Sequence, residues 1–204
     1  MKINKKKFIY LISPNKITIH FYQNLEDVLK TGKVSFFQMR FKKYTVGQKV
    51  LIGRKIKKIC RKNNVKFLVN DDPLLAKKLN ADGCHLGQKD KDIVESRKII
   101  GNKIIGITCH NSIKLAKSAI KNKASYLAFG AFFLTKTKRV KHKATTEILN
   151  KVKRLTKTPL VAIGGINSSN YKKLLLNNAN FLAISGYIWN NKKYKPLEAI
   201  KKLK

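Results

Sequence analysis

The chain has 204 residues, 46 of them Lys or Arg against 10 Asp or Glu, for a formal net charge of +36 at pH 7. No run of about 18 apolar residues occurs, which argues against a transmembrane helix and a membrane partner. Three cysteines, Cys60, Cys84 and Cys109, have neither an even count nor a Cys-x-x-Cys spacing, so a disulfide framework and a zinc site are disfavoured and a reducing cytoplasm is expected.

The basic start is followed by an apolar stretch too short for a secretion signal, so residues 8–13 read as a first strand. Further runs of strand length follow at residues 36–40, 67–70, 84–87, 104–108, 126–130, 160–164 and 181–185. Helical patterns lie between them. Over residues 45–64, Val50, Leu51, Ile56, Ile59 and Cys60 can share an apolar face while lysines take the other, and Thr45 and Gln48 are spaced as a capping box. Asp72 precedes Pro73 at a helix start, where the missing proline N–H costs nothing, and Asp92 with Glu95 repeats the capping spacing. Seven of the eight runs end in a polar, charged or glycine-rich cluster. That is the arrangement of an α/β (β/α)8 TIM barrel, whose βα loops converge on one face. Eight units leave roughly 25 residues each, near the lower limit for this fold. No Gly/Ser- or Pro-rich linker divides the chain, so residues 1–204 read as a single domain.

A charge of +36 invites a nucleic-acid reading, with Tyr10, Phe36, Phe37 and Tyr126 as stacking platforms. Those aromatics fall inside predicted strands, where core positions are the commoner use. The lysines are spread along the chain, mostly on helix faces, so we expect a solvated basic surface that steers anionic substrates and no specific nucleic-acid partner.

The strand-end clusters carry the chemistry. In Gln38-Met39-Arg40-Phe41-Lys42, alternation puts Gln38, Arg40 and Lys42 on one side. Arg40 can fork onto phosphate oxygens with Lys42 as a point charge beside it, although this segment taken alone suits a solvated basic edge equally well. In Asn70-Asp71-Asp72-Pro73, Asp72 has a capping duty and Asp71 has none; after His85-Leu86-Gly87-Gln88-Lys89, Asp90 is likewise spare because Asp92 can cap. Two such carboxylates on neighbouring loops suit Mg²⁺, which takes few protein oxygens and leaves its other positions to water and substrate phosphate. The loop from Gly130 to Lys138 holds Thr135, Lys136, Thr137 and Lys138, offering phosphate hydrogen bonds and charge; its plain alternative is a mobile basic loop. Gly164-Gly165 and Ser185-Gly186 would let backbone N–H groups approach a phosphate, as barrels often do after strands seven and eight, or would simply form tight turns.

In this order, QMRFK, NDDP, ADGCHLGQKD, TCH, FGAFFLTKTK, VAIGGI and AISG resemble the thiamine phosphate synthase family over about residues 8–189. The resemblance implies a (β/α)8 transferase that joins the pyrophosphate ester of 4-amino-5-hydroxymethyl-2-methylpyrimidine to a thiazole phosphate, forming thiamine phosphate and releasing pyrophosphate. By motif, Gln38, Arg40, Lys42, Asn70, Thr108 and Lys138 would hold the pyrimidine pyrophosphate. Asp71 and Asp90 would bind Mg²⁺, and Thr135, Thr137, Gly165, Ser185 and Gly186 would receive the thiazole phosphate. Arg40, Lys42 and Lys138 would act catalytically by neutralising the departing pyrophosphate. His85 and His110 are given no catalytic role.

The chain departs from the family pattern in places. Phe41 replaces the usual acidic residue between Arg40 and Lys42, Thr108 replaces a Ser, and Ala131 and Leu134 stand where prolines are usual. The stretch before the eighth strand, Asn178-Ala179-Asn180, lacks the usual glycines. A related thiazole tautomerase is the nearer alternative, but that branch carries His directly after the glycine where this chain has Ala131. A nucleic-acid-binding protein is the distant one.

Overall fold

Eight parallel strands close into a barrel in chain order: β1 (Ile9–Ile12), β2 (Val34–Met39), β3 (Lys66–Asn70), β4 (Gly83–Leu86), β5 (Ile104–His110), β6 (Tyr126–Gly130), β7 (Leu160–Ile163) and β8 (Phe181–Ile184). The closing pair is β8 with β1, in register Ile9 to Leu182 and Leu11 to Ile184. This computed structural model describes residues 7–135 and 142–204. Helices α1 (Phe21–Lys30), α2 (Val46–Lys62), α3 (Pro73–Lys78), α4 (Ile93–Ile100), α5 (Ile113–Lys121), α6 (Thr146–Lys153) and α7 (Tyr171–Leu176) alternate with the strands. The chain then runs through α8 (Gly186–Trp189) and α9 (Pro196–Lys201). The expected (β/α)8 TIM barrel is the fold observed.

Local chemistry sets the helix starts. Thr45 and Gln48 form the reciprocal capping box, the Asp72 side chain accepts from the Leu75 N–H with Pro73 in the first turn, and Asp92 accepts from the Glu95 N–H. One expectation for α2 fails. Leu51 is 64% exposed, and the buried stripe runs Val50, Gly53, Ile56, Cys60. A glycine hides the stripe from a hydrophobicity count, yet it is needed there because a Cβ would lie 2.6 Å from Leu79 Cδ1.

The core has two layers. Between strands and helices lie residues such as Phe21, Phe37, Met39, Phe67, Ile105 and Phe129. The barrel interior is filled by Tyr10, Ile12, Leu68, Tyr126, Ala128, Val161 and Ala183, with Phe36, Ile163 and Phe181 packed against them. Tyr126 fits because β5 places Gly106 beneath its ring, where a Cβ would come within 1.8 Å of the ring carbon Cζ. The aromatics Tyr10, Phe37 and Tyr126 are therefore core residues, 1%, 0% and 2% exposed. Among the described residues, no helix is long and apolar enough to cross a membrane.

Candidate active site

Every expected site residue that the structure describes lies at or just beyond the C-terminal end of a strand; Lys136, Thr137 and Lys138 fall outside the described residues. The alternation expected after β2 holds. Gln38 is buried facing the barrel axis and its Nε2 donates to Asn70 Oδ1 at 2.5 Å, joining the ends of β2 and β3. Met39 and Phe41 point the other way, and the Phe41 ring packs against Phe21 and Tyr44. Phe41 therefore packs under the loop, on the face away from Arg40. No carboxylate pairs with Arg40 among the described residues, which leaves its guanidinium to an anion.

Ser13, at the end of the first apolar run, ties this rim together. Its hydroxyl accepts from the Arg40 N–H at 2.9 Å, and its carbonyl accepts from the Ser185 hydroxyl at 3.1 Å, so β1, β2 and β8 end in one network. The available signal was a polar residue closing the first apolar run.

The two carboxylates converge. Asp71 adopts a left-handed backbone conformation, φ 63°, while its N–H donates to the His85 carbonyl at 2.8 Å. Its carboxylate lies 3.5 Å from Lys42 Nζ. Asp90 is not idle as the sequence suggested: it accepts the Gly87 N–H at 2.6 Å and so braces its own loop. Burial raises the Asp90 pKa, the Gly87 N–H opposes this, and the Asp71 carboxylate beside it raises it again. A pair of carboxylates that repel each other is a fit for a divalent cation. Among the described residues no group of three or more His, Cys, Asp or Glu converges as a metal cage, at this site or any other, and a two-carboxylate set is what the sparse protein ligation of magnesium would use. A cavity of about 220 Å³ opens beside Asp71, lined also by Lys42, Lys49 and Asn70 over Met39 and Leu75. A larger groove of about 640 Å³ lies outside the barrel between α4 and α5 and contains none of the strand-end residues.

Thr108 sits half-buried near the end of β5, held by the Gln88 side chain, which donates to its carbonyl, and by His85 Nε2 at 2.9 Å from its hydroxyl. His85 Nδ1 lies 2.9 Å from the Tyr126 hydroxyl, which is 2.7 Å from that of Tyr10. On the opposite rim, the loop after β6 folds back onto β7: the Phe132 and Phe133 N–H groups donate to the Ile163 and Gly164 carbonyls. That loop explains both glycines, since a Cβ would come within 2.4 Å of Ala131 at Gly164 and 2.3 Å of the Leu134 carbonyl at Gly165. Thr135 follows on the same loop. Ala131 carries no acid–base group, although its N–H donates to the His142 carbonyl and the His142 ring lies 4.3 Å from that of His110, tilted by 37°. Ser185 caps β8, and its carbonyl accepts from Ile188 and Trp189 as α8 begins at Gly186.

Fold and site together define a barrel enzyme with its polar groups gathered at one mouth. The sequence profile described as thiamine monophosphate synthase matches residues 9–188. The thiamine-phosphate synthase of Pelagibacter ubique strain HTCC1062 is 70% identical over 207 aligned positions, covering 100% of both chains. That of Erythrobacter litoralis strain HTCC2594 is 40% identical, covering 94% of this chain and 92% of its own. Thiamine phosphate pyrophosphorylase from Pyrococcus furiosus superposes with a TM-score of 0.86 at 28% identity, covering 98% of this chain and 94% of its own. The 3-hexulose-6-phosphate synthase of Salmonella typhimurium, with a TM-score of 0.71 at 15% identity over 96% of both chains, shares the fold alone. The chain belongs to the thiamine monophosphate synthase family. It is a transferase of thiamine biosynthesis, as its strand-end motifs led us to expect.

Proposed function

We propose that Gln38, Arg40, Lys42, Asn70 and Thr108 hold the pyrophosphate ester of the aminopyrimidine, and that Thr135, Gly165, Ser185 and Gly186 receive the thiazole phosphate. Thr137 and Lys138 belong to the same reading from outside the described residues. The observation that carries it is the convergence of Asp71 and Asp90 beside Lys42, next to an Arg40 that no described carboxylate neutralises. Asp71 and Asp90 would hold Mg²⁺, which when bound would offset negative charge on the pyrophosphate oxygens.

The pyrimidine's amino group can feed electrons to the methylene carbon, so the C–O bond to pyrophosphate breaks first and the thiazole nitrogen then forms the new C–N bond. No protein nucleophile is needed. Arg40, Lys42 and Lys138 stabilise the charge that grows on the leaving oxygen, and the packed barrel interior keeps bulk water from the carbon cation on that side. Three buried, free cysteines suit a cytoplasmic location. Incubating the purified chain with both phosphorylated substrates and Mg²⁺ should yield thiamine phosphate and pyrophosphate in equal amounts, with no isomerisation of the thiazole above the uncatalysed rate. Isomerisation without coupling would overturn this reading in favour of the tautomerase.

A further inference from the structure

A line of four polar side chains runs up the barrel interior to the mouth: Tyr10, Tyr126, His85 and Thr108, with successive contacts of 2.7, 2.9 and 2.9 Å. Polar groups in a packed interior are kept only when hydrogen-bonded, and the order of donors along such a line is constrained by its buried end. Tyr10 is 1% exposed, and among the described residues its hydroxyl meets one hydrogen-bond partner, the Tyr126 oxygen. Burial raises the pKa of both phenols, so each keeps its proton and each must donate it.

The direction follows from that end. Tyr10 donates to Tyr126, because it has nowhere else to send its hydrogen. Tyr126 therefore donates to His85 Nδ1. A neutral imidazole that accepts at Nδ1 carries its hydrogen on Nε2, and Nε2 then donates to the Thr108 hydroxyl oxygen. The Thr108 hydrogen is left pointing away from His85, toward the half-open mouth. In the reverse order the Tyr10 hydrogen would be stranded in the core, a cost of a full unmade hydrogen bond.

We propose that Tyr10, Tyr126 and His85 form a one-way hydrogen-bond chain that presets the Thr108 hydroxyl as a donor to the substrate, with His85 as its positioning residue. This rests on the reading of Thr108 as a contact to the pyrimidine pyrophosphate. The chain gives a task to the histidine near the end of β4, whose ring links Tyr126 to Thr108. It also explains why a Thr serves where the family pattern has Ser: both present the one hydroxyl that the chain orients.

Two measurements test it. Nitrogen NMR of the histidine-labelled full chain in mildly alkaline buffer, with His85 identified as the signal lost in His85→Gln, should show hydrogen on Nε2 and a bare Nδ1. Hydrogen on Nδ1 would overturn the proposal, and this arm needs neither substrate nor a stable interior variant. The second arm is a double-mutant cycle on single-turnover coupling. Tyr126→Phe frees Nδ1 to take the hydrogen, turns the Thr108 hydroxyl inward and should slow coupling on the order of tenfold, the scale of one lost donor. In a Thr108→Val background the same change should cost nothing further, whereas Thr108→Ser should restore the sensitivity. Equal losses in both backgrounds would show a purely structural Tyr126 and defeat the idea. A wild-type chain that does not couple at all would instead defeat the functional reading, leaving the tautomer to decide the chain on its own.

Discussion

Asp71 adopts φ 63° at the tip of β3, a conformation that short polar side chains tolerate and alanine resists. This decides which variant isolates its charge. Asp71→Asn should keep the melting temperature and lower coupling at limiting Mg²⁺ by roughly ten- to a hundredfold, the scale of one charge-assisted contact. Asp71→Ala should show the same kinetic loss plus about 1 kcal/mol of lost stability from backbone strain. Asp90→Ala should also lose about 1 kcal/mol, because the Gly87 N–H then lacks its acceptor. Full activity of Asp71→Asn and Asp90→Ala in limiting magnesium would remove both residues from the metal site. At this scale the sequence was informative where a residue had no structural duty to perform, as at Asp71. It misled at Asp90, whose bond to the Gly87 N–H depends on a loop shape that spacing does not reveal. The connections of Ser13 and His85 were not legible for a related reason: their partners are 27, 172, 23 and 41 positions away, and no local pattern encodes such pairings.

Strand identity and order were legible because most of the apolar runs end in a polar, charged or glycine-rich cluster, and because α2, α3 and α4 open on side-chain caps that the spacing announces. The interior of the elements was less so. Residue-level hydrophobicity placed Leu51 on the buried face of α2, whereas the stripe passes through Gly53, where space and not apolarity is what the neighbouring Leu79 requires. Leu51→Ala should therefore change stability by no more than about 0.5 kcal/mol, as exposed positions do. Gly106→Ala on β5 is the contrasting case, since its methyl would overlap the Tyr126 ring at 1.8 Å in a filled barrel. Overpacking of that kind should cost about 3 kcal/mol, at the upper end of such changes. Chemical denaturation of the two variants checks both statements, and a Gly106→Ala chain as stable as wild type would show that the interior can yield. The thiols follow the same layering: Cys60, Cys84 and Cys109 all lie in the strand–helix layer, and burial pushes the last two up to about 12. None should react with a thiol reagent at neutral pH until the barrel unfolds.

Over the whole molecule, ten carboxylates face 46 basic side chains, so where the acids are placed matters. Asp72 and Asp92 cap helices, Asp82 accepts the Phe67 N–H, Glu26 gathers Lys30 and Lys62, and Asp71 and Asp90 meet at the mouth. The four remaining acids, Asp27, Glu95, Glu147 and Glu198, are scattered, so the surface is a broad positive field with a sparse acidic counterweight, and both expected substrates are phosphorylated. Such a field raises the encounter rate of anions and is screened once the Debye length shrinks to about 8 Å at physiological ionic strength. Contacts inside the mouth, by contrast, are partly desolvated and screened much less. Raising salt from low to physiological ionic strength should therefore reduce kcat/KM by about tenfold, the lower end of the range open to steering, while kcat at saturating substrate and fixed free Mg²⁺ stays nearly constant. Duplex DNA should be retained at low salt and released over the same range, as expected of charge without base readout. A flat kcat/KM across that range would show that the field plays no part in capture, and a fall confined to kcat would place the salt-sensitive step inside the mouth, after binding.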